Sequence, residues 1–165
     1  MSHQDFEQTS PRRRKPLLDP ALLERLAETG FLATEFGLHE QAERIFSCLA
    51  RLKPGKPSPS IALAMVQARR GHMQLAIVSI RETIARHPES ELARAILGSM
   101  LIHIGETEGR ELLAGVIARD ADSDAVSVAA SCIDQAGTAA AQKPQPASTS
   151  DNGAVEYFRH YNVRA

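Results

Sequence analysis

Three glycines recur along this chain at an interval of 34 residues: Gly37, Gly71 and Gly105. Seven residues before each of them stands another small residue. These earlier residues are Gly30, Ala64 and Gly98. Self-similarity at such a period predicts copies of one small unit, each of which buries its apolar face only by stacking on the next copy.

Two further marks keep the same spacing, namely Ala42 with Ala76 and Pro54 with Pro88. A small residue lets two helices cross closely, a glycine ends a helix in the left-handed conformation, and a proline cannot continue a helix. The order of these marks resembles the tetratricopeptide (TPR) repeat. We therefore predict an all-α protein, a TPR-like helical solenoid of about three helix-turn-helix repeats plus a capping helix.

Composition limits what else the chain can be. Its 165 residues are 43% hydrophobic but only 4% aromatic, which predicts one core of Leu, Ile, Ala and Val. A net charge of −1 gives no general attraction to nucleic acid, and no apolar run is long enough to span a membrane. The first residues lack a basic stretch followed by an apolar one, so we expect a cytoplasmic location and no secretory signal.

The composition divides the chain into four segments. We predict a disordered N-terminal arm at 1–16, a TPR-like helical domain at 17–136, a flexible linker at 137–153 and an aromatic C-terminal segment at 154–165. The arm carries the basic run Arg12 to Lys15, for which a solubilising role and docking on a phosphate or an acidic partner both stay open.

Helical spacing predicts how single elements pack. One apolar face of the first helix comprises Leu22, Leu23, Leu26, Phe31, Leu32 and Phe36. In the third repeat, Arg110 replaces the alanine at the helix crossing of the first two repeats, and Ala114 replaces the large residue one turn later. This exchange of large and small residues predicts a different helix crossing. An apolar stretch from Asp124 to Gln135 predicts the capping helix, ended by Gly137.

The chain shows no pattern typical of an enzyme. Its six histidines are scattered singly, and no phosphate-binding loop or nucleophile elbow is present. Cys48 and Cys132 are far apart and are interpreted as small buried residues. We predict no catalytic residue, no metal site and no cofactor.

The TPR resemblance implies a protein-binding groove on the first helix of each repeat. The implied residues are Ala27, Phe31, Thr34, Ile61, Met65, Ala68, Arg69, Ala95, Ser99 and Ile102. Most are apolar, which favours the apolar face of a helix or an extended hydrophobic segment over a charged C-terminus. The alternative that any one of them packs within the stack stays open.

A narrower resemblance covers about residues 17–135. The run Phe36-Gly-Leu-His-Glu-Gln-Ala-Glu-Arg-Ile-Phe46, followed by Leu52-Lys-Pro54 and Ala68-Arg-Arg-Gly71, resembles the small TPR proteins of bacterial type III secretion. These are co-chaperones of the needle subunit or chaperones of the translocator proteins, and short helices favour the needle type. The resemblance implies a cytoplasmic chaperone whose partners are a secreted needle or translocator subunit and, as a further candidate, a second small chaperone.

Two other functions stay open: a TPR scaffold that joins folded proteins, and a regulator that uses the basic arm. The oligomeric state is not predicted. The C-terminal segment holds Tyr157, Phe158 and Tyr161, which would share one helical face. We expect this tail to dock in the groove in place of the substrate, the alternatives being a frayed end or a contact with another protein.

Overall fold

The computed structural model describes residues 19–141, with side-chain surroundings as far as Gly137. Within that range the chain forms seven helices and no strand, which confirms the all-α prediction. The helices are α1 (Pro20–Glu35), α2 (His39–Leu52), α3 (Ser58–Arg69), α4 (Met73–Arg86), α5 (Glu91–His103), α6 (Glu108–Arg119) and α7 (Ser123–Ala141). The predicted arm, the part of the predicted linker after residue 141 and the aromatic tail lie outside the described residues.

The first six helices form three consecutive hairpins. α1 packs on α2, α3 on α4 and α5 on α6, and the second helix of one hairpin contacts the first helix of the next. α7 packs on both α5 and α6 and closes that end of the stack. This arrangement confirms the predicted TPR-like solenoid with its capping helix.

The periodic glycines end the first helix of each hairpin. Gly37, Gly71 and Gly105 have φ angles of 73°, 84° and 85°, in the left-handed region that a side chain rarely adopts. At the other end of α1, the Asp19 carboxylate accepts a hydrogen bond from the Ala21 amide at 3.1 Å, as an N-cap does. The turns of the repeat were therefore predictable from sequence.

The small residues inside the first helices lie where a second helix crosses. A Cβ atom added to Gly30 would stand 2.7 Å from the ring of Phe46 on α2. Ala42 and Ala76, the predicted crossing residues of the second helices, are completely buried. Close packing at these points, rather than helix propensity, explains the glycine in the middle of α1.

The third hairpin differs from its prediction by one residue. Gly109 lies at the crossing, where an added Cβ would stand 2.6 Å from the Gly98 carbonyl oxygen, and Leu113 fills the next turn. Arg110 and Ala114 are exposed. The entry to α6 contains tighter three-residue hydrogen bonds, from the Gly109 amide to Glu106 and from the Arg110 amide to Thr107. Because such a turn rotates more per residue, an earlier residue reaches the crossing.

The prediction that Gly137 ends the capping helix is wrong. α7 continues through Gly137 to Ala141, so the first residues of the predicted linker are helical. Gly137 has no neighbouring atom within 4 Å of an added Cβ, and three alanines follow it. Alanine is the best helix former, and its propensity offsets the cost of one exposed glycine.

The core consists of two clusters that meet at α3. The smaller cluster comprises Leu23, Ala33, Ala42, Phe46, Leu49, Ala62 and Val66. The larger one draws its buried residues from α3 to α7. Phe31 of α1 packs against both clusters and so connects them.

One side of the first hairpin is left uncovered by the described elements, because α1 and α2 contact only each other and α3. We call this side the first-hairpin edge. Its exposed residues are Leu22, Leu32, Phe36, Leu38 and Leu52. Of the residues predicted to share one apolar helical face, Leu22, Leu32 and Phe36 are therefore exposed, and Phe36, which follows the last residue of α1, is 76% exposed.

Candidate protein-binding groove

The ten residues predicted to line the groove all lie on α1, α3 or α5, the first helices of the three hairpins. Two of them, Ile61 and Ala95, are completely buried inside the larger cluster. A partner cannot touch a side chain with no exposed surface. These two residues support the groove from within, and the prediction that they line it is corrected.

The partly exposed apolar members are distributed over the three first helices. Phe31 of α1, Met65 and Ala68 of α3, and Ile102 of α5 all pack half-buried against the larger cluster. We call these four residues the groove strip. Each has one side in the core and one side in solvent, which gives a rigid apolar surface that is available for contact.

Phe31 owes its position to the second helix of its hairpin. Its ring lies 4.9 Å from that of Phe46, centroid to centroid, with the planes tilted by 54°. Phe46 is itself buried and fits there because Gly30 has no side chain. The glycine of the repeat thus places the aromatic side chain of the groove strip, through a tilted ring contact of a favourable kind.

Polar groups flank the groove strip. Ala27, Thr34 and Ser99 are half-buried on the same helices, and the Thr34 hydroxyl donates to the Gly30 carbonyl at 2.9 Å. Arg69 is exposed at the end of α3, and Glu35 is exposed at the end of α1. The surface therefore has an apolar centre and a rim with both signs of charge, as protein interfaces do.

A second polar cluster lies between α5 and α6. The buried Glu91 carboxylate accepts from Arg119 at 3.0 and 2.9 Å and from Arg94 at 2.6 Å, while Arg94 also donates to the Pro88 carbonyl. Both arginines line a cavity of about 250 Å³ that includes Gly115. Because Glu91 lies on α5 and accepts hydrogen bonds from Arg119 on α6, the cluster holds these two helices together. None of its residues belongs to the groove strip.

Residues 19–141 offer no group of three or more histidine, cysteine or acidic side chains placed to hold a metal ion. In the same part of the chain, no helix is both long and apolar enough to cross a membrane. The described surface feature with the clearest binding chemistry is the groove strip.

Three stacked hairpins, a small residue at each crossing and glycine-ended first helices define a TPR-like helical-repeat protein. The chain belongs to the bacterial type III secretion protein family HrpB1_HrpK, whose model matches residues 16–137. This membership confirms the narrower resemblance to type III secretion proteins. Among curated proteins, none matches the sequence.

Several solved structures share the fold. PcrH from Pseudomonas aeruginosa superposes with a TM-score of 0.58 at 18% identity, over 73% of this chain and 93% of PcrH. PcrH in complex with the chaperone binding region of PopD gives 0.56 at 18% identity, over 78% and 98%. The Sgt2 TPR domain from Aspergillus fumigatus gives 0.54 at 16% identity, over 89% and 99%. At these identities the likeness concerns the fold.

Proposed function

We propose that this protein is a chaperone of bacterial type III secretion that holds an apolar segment of an exported subunit in its groove. The observation that carries the proposal is the groove strip of Phe31, Met65, Ala68 and Ile102, half-buried on three adjacent hairpins. An apolar surface with a polar rim is typical of a site for an amphipathic helix or an extended hydrophobic segment.

Physical chemistry explains why export would need such a protein. A subunit that polymerises or enters a membrane carries an apolar segment, and that segment self-associates in water. Covering the segment keeps the subunit monomeric until delivery. Met65 suits this task, because its flexible thioether adapts to different apolar side chains.

The cargo class is the needle or translocator subunit. The structure of PcrH in complex with the chaperone binding region of PopD supports a segment of a partner protein as cargo for this fold. The needle subunit favoured by the sequence, a second small chaperone and the cytoplasmic location stay predictions. Cell fractionation would test the location.

The groove is tested by binding the purified needle and translocator subunits of the native secretion system to the full chain. We expect Phe31→Ala to weaken binding by about thirtyfold, because truncating an aromatic hot spot costs about 2 kcal/mol. Met65→Asp should abolish binding, because it places a charge in the apolar centre of the site. Isothermal titration calorimetry measures both, and circular dichroism checks that the variants fold.

The matched control is Phe36→Ala. This substitution removes an aromatic ring from the first-hairpin edge, directly after the end of α1. Because Phe36 is 76% exposed and outside the groove strip, binding should be unchanged. If all three variants bind the subunit with the affinity of the unsubstituted protein, the groove assignment is refuted. Capture of several folded proteins instead of one secreted subunit would favour the scaffold alternative.

A further inference from the structure

We propose that residues 154–165 of this chain dock on the groove strip and occupy it in the free protein. The inference rests on the groove strip being the binding face and adds an internal occupant to it. Tyr157, Phe158 and Tyr161 are three of the seven aromatic residues of the chain. These three side chains would cover the apolar centre that the described residues leave open.

The end of the described chain makes this contact reachable. α7 packs on α5, which carries Ile102 of the groove strip, and on α6. Tyr157 follows Ala141 by sixteen positions, and a coil of that length spans about 22 Å. This span exceeds the separation of about 8–10 Å between two packed helices. The tail is therefore long enough to extend from α7 across the neighbouring helix α5.

The chemistry of the tail complements that of the groove. In a helix, Tyr157 and Tyr161 lie on one face, with Phe158 beside them. Aromatic rings pack well on the Phe31 ring and on the thioether of Met65. Tyrosine hydroxyl groups would then remain at the polar rim, where they can meet water or charged groups. The tail is thus the same kind of segment that the proposed cargo would present.

A covalently attached tail does not need a high intrinsic affinity. A short tether gives an effective concentration in the millimolar range, so even weak contacts keep the site largely filled. An external segment then binds only in the fraction of time when the site is free, which lowers its apparent affinity by that fraction. The tail would shield the groove strip until a tighter cargo displaces it.

The described residues also expose apolar side chains on the first-hairpin edge. That edge belongs to α1 and α2, at the end of the stack opposite to α7. The groove strip begins on α5, next to the last helix. Proximity favours the groove strip because its residue Ile102 lies on a helix that packs on α7, whereas the edge lies wholly on the first hairpin, and the experiment separates the two.

Tyrosine fluorescence tests the inference without any label. The chain has no tryptophan and its only tyrosines are Tyr157 and Tyr161, so tyrosine emission reports the tail alone. The measurement is emission anisotropy and acrylamide quenching of the dilute full-length chain, with the free peptide of residues 154–165 as reference. We expect higher anisotropy and a smaller quenching constant than in the peptide.

Substitutions then locate the contact. Met65→Asp should raise the quenching constant to that of the free peptide, and Phe31→Ala should raise it in the same direction, while Phe36→Ala leaves it unchanged. Circular dichroism checks the fold, and if Met65→Asp unfolds, Phe31→Ala decides.

Three results would overturn the inference. The tyrosines could be as accessible as in the peptide, they could be released only by the Phe36 variant, or their protection could disappear on dilution, as for a contact between two copies. None of these measurements uses cargo. Failure of the inference is therefore distinct from failure of the proposed chaperone function.

Discussion

At the scale of single residues, Gly30 and Gly137 differ in the space around them, and replacing each with alanine should have opposite effects on stability. An alanine Cβ at position 30 would overlap the Phe46 ring, whereas one at position 137 would meet no atom within 4 Å. We expect Gly30→Ala to lower the free energy of unfolding by up to about 2 kcal/mol, because overpacking costs about 1–3 kcal/mol and the substitution regains roughly 1 kcal/mol of helix propensity.

The matched substitution Gly137→Ala should raise the free energy of unfolding by about 0.5 kcal/mol, since it gains propensity near an exposed helix end without a clash. Urea denaturation followed by circular dichroism measures both variants. If both alanines stabilise the protein, the close crossing of α1 and α2 at Gly30 is not real.

Residue types that the backbone geometry requires were readable from the sequence. Gly71 has a left-handed φ angle, and Ala76 has no room for a larger side chain, so each leaves a periodic mark. Ile61 and Met65 illustrate what spacing cannot show. They lie four residues apart on one face of α3, yet Ile61 is fully buried and Met65 is not. Periodicity predicts the face of a residue and not how deeply neighbouring helices cover it.

At the scale of elements, the Glu91 cluster locks α5 to α6, and its contribution can be compared with that of a surface pair. Arg119→Gln removes two charged hydrogen bonds from a carboxylate whose side chain is 9% exposed. We expect a loss of about 1–2 kcal/mol in the free energy of unfolding, because a buried charge left short of partners is costly.

Arg81→Gln is the control, because it breaks the ion pair between Arg81 and Glu108, in which both side chains are about half exposed. Exposed pairs contribute about 0–1 kcal/mol, so the effect should be smaller. Thermal denaturation compares the two variants. Equal destabilisation would show that the buried cluster is no stronger than a surface pair.

Some features of the helices could be predicted from the sequence, and others could not. α4 spans Met73–Arg86, between the periodic Gly71 and Pro88, so the marks in the sequence bracket this helix closely. The one-residue advance of Gly109 could not be predicted from the 34-residue period, since the tighter turn at the start of α6 has no residue signature. The Gly98 carbonyl leaves no space for a side chain there, and only the packed pair of helices shows this.

At the scale of the whole molecule, residues 19–141 close the stack with a capping helix at its C-terminal end and with none at its N-terminal end. α7 contributes Ala125, Val128 and Ala129 to the larger cluster and covers Leu113 and Val116 of the third hairpin. A solenoid without its terminal cap exposes the apolar face of its last repeat. We expect a chain that ends after Asp120 to aggregate or to lose its cooperative thermal transition.

A chain that ends after Ala141 is the control, because it keeps every contact of the described fold. Its thermal transition by circular dichroism should stay close to that of the full chain, and size-exclusion chromatography should show no aggregate. An intact transition in the shorter chain would mean that α7 is dispensable and that the third hairpin is stable on its own.

Phe31 contacts both core clusters and also faces the groove, and this has a consequence for how the molecule comes apart. In a linear array, units at the weaker end open first, and here the smaller cluster with its uncovered edge is that end. A segment bound across Phe31, Met65 and Ile102 would bridge the boundary between the clusters. Occupancy of the groove would then hold the first hairpin to the rest of the stack, so that the free energy of opening the first hairpin alone rises toward that of global unfolding.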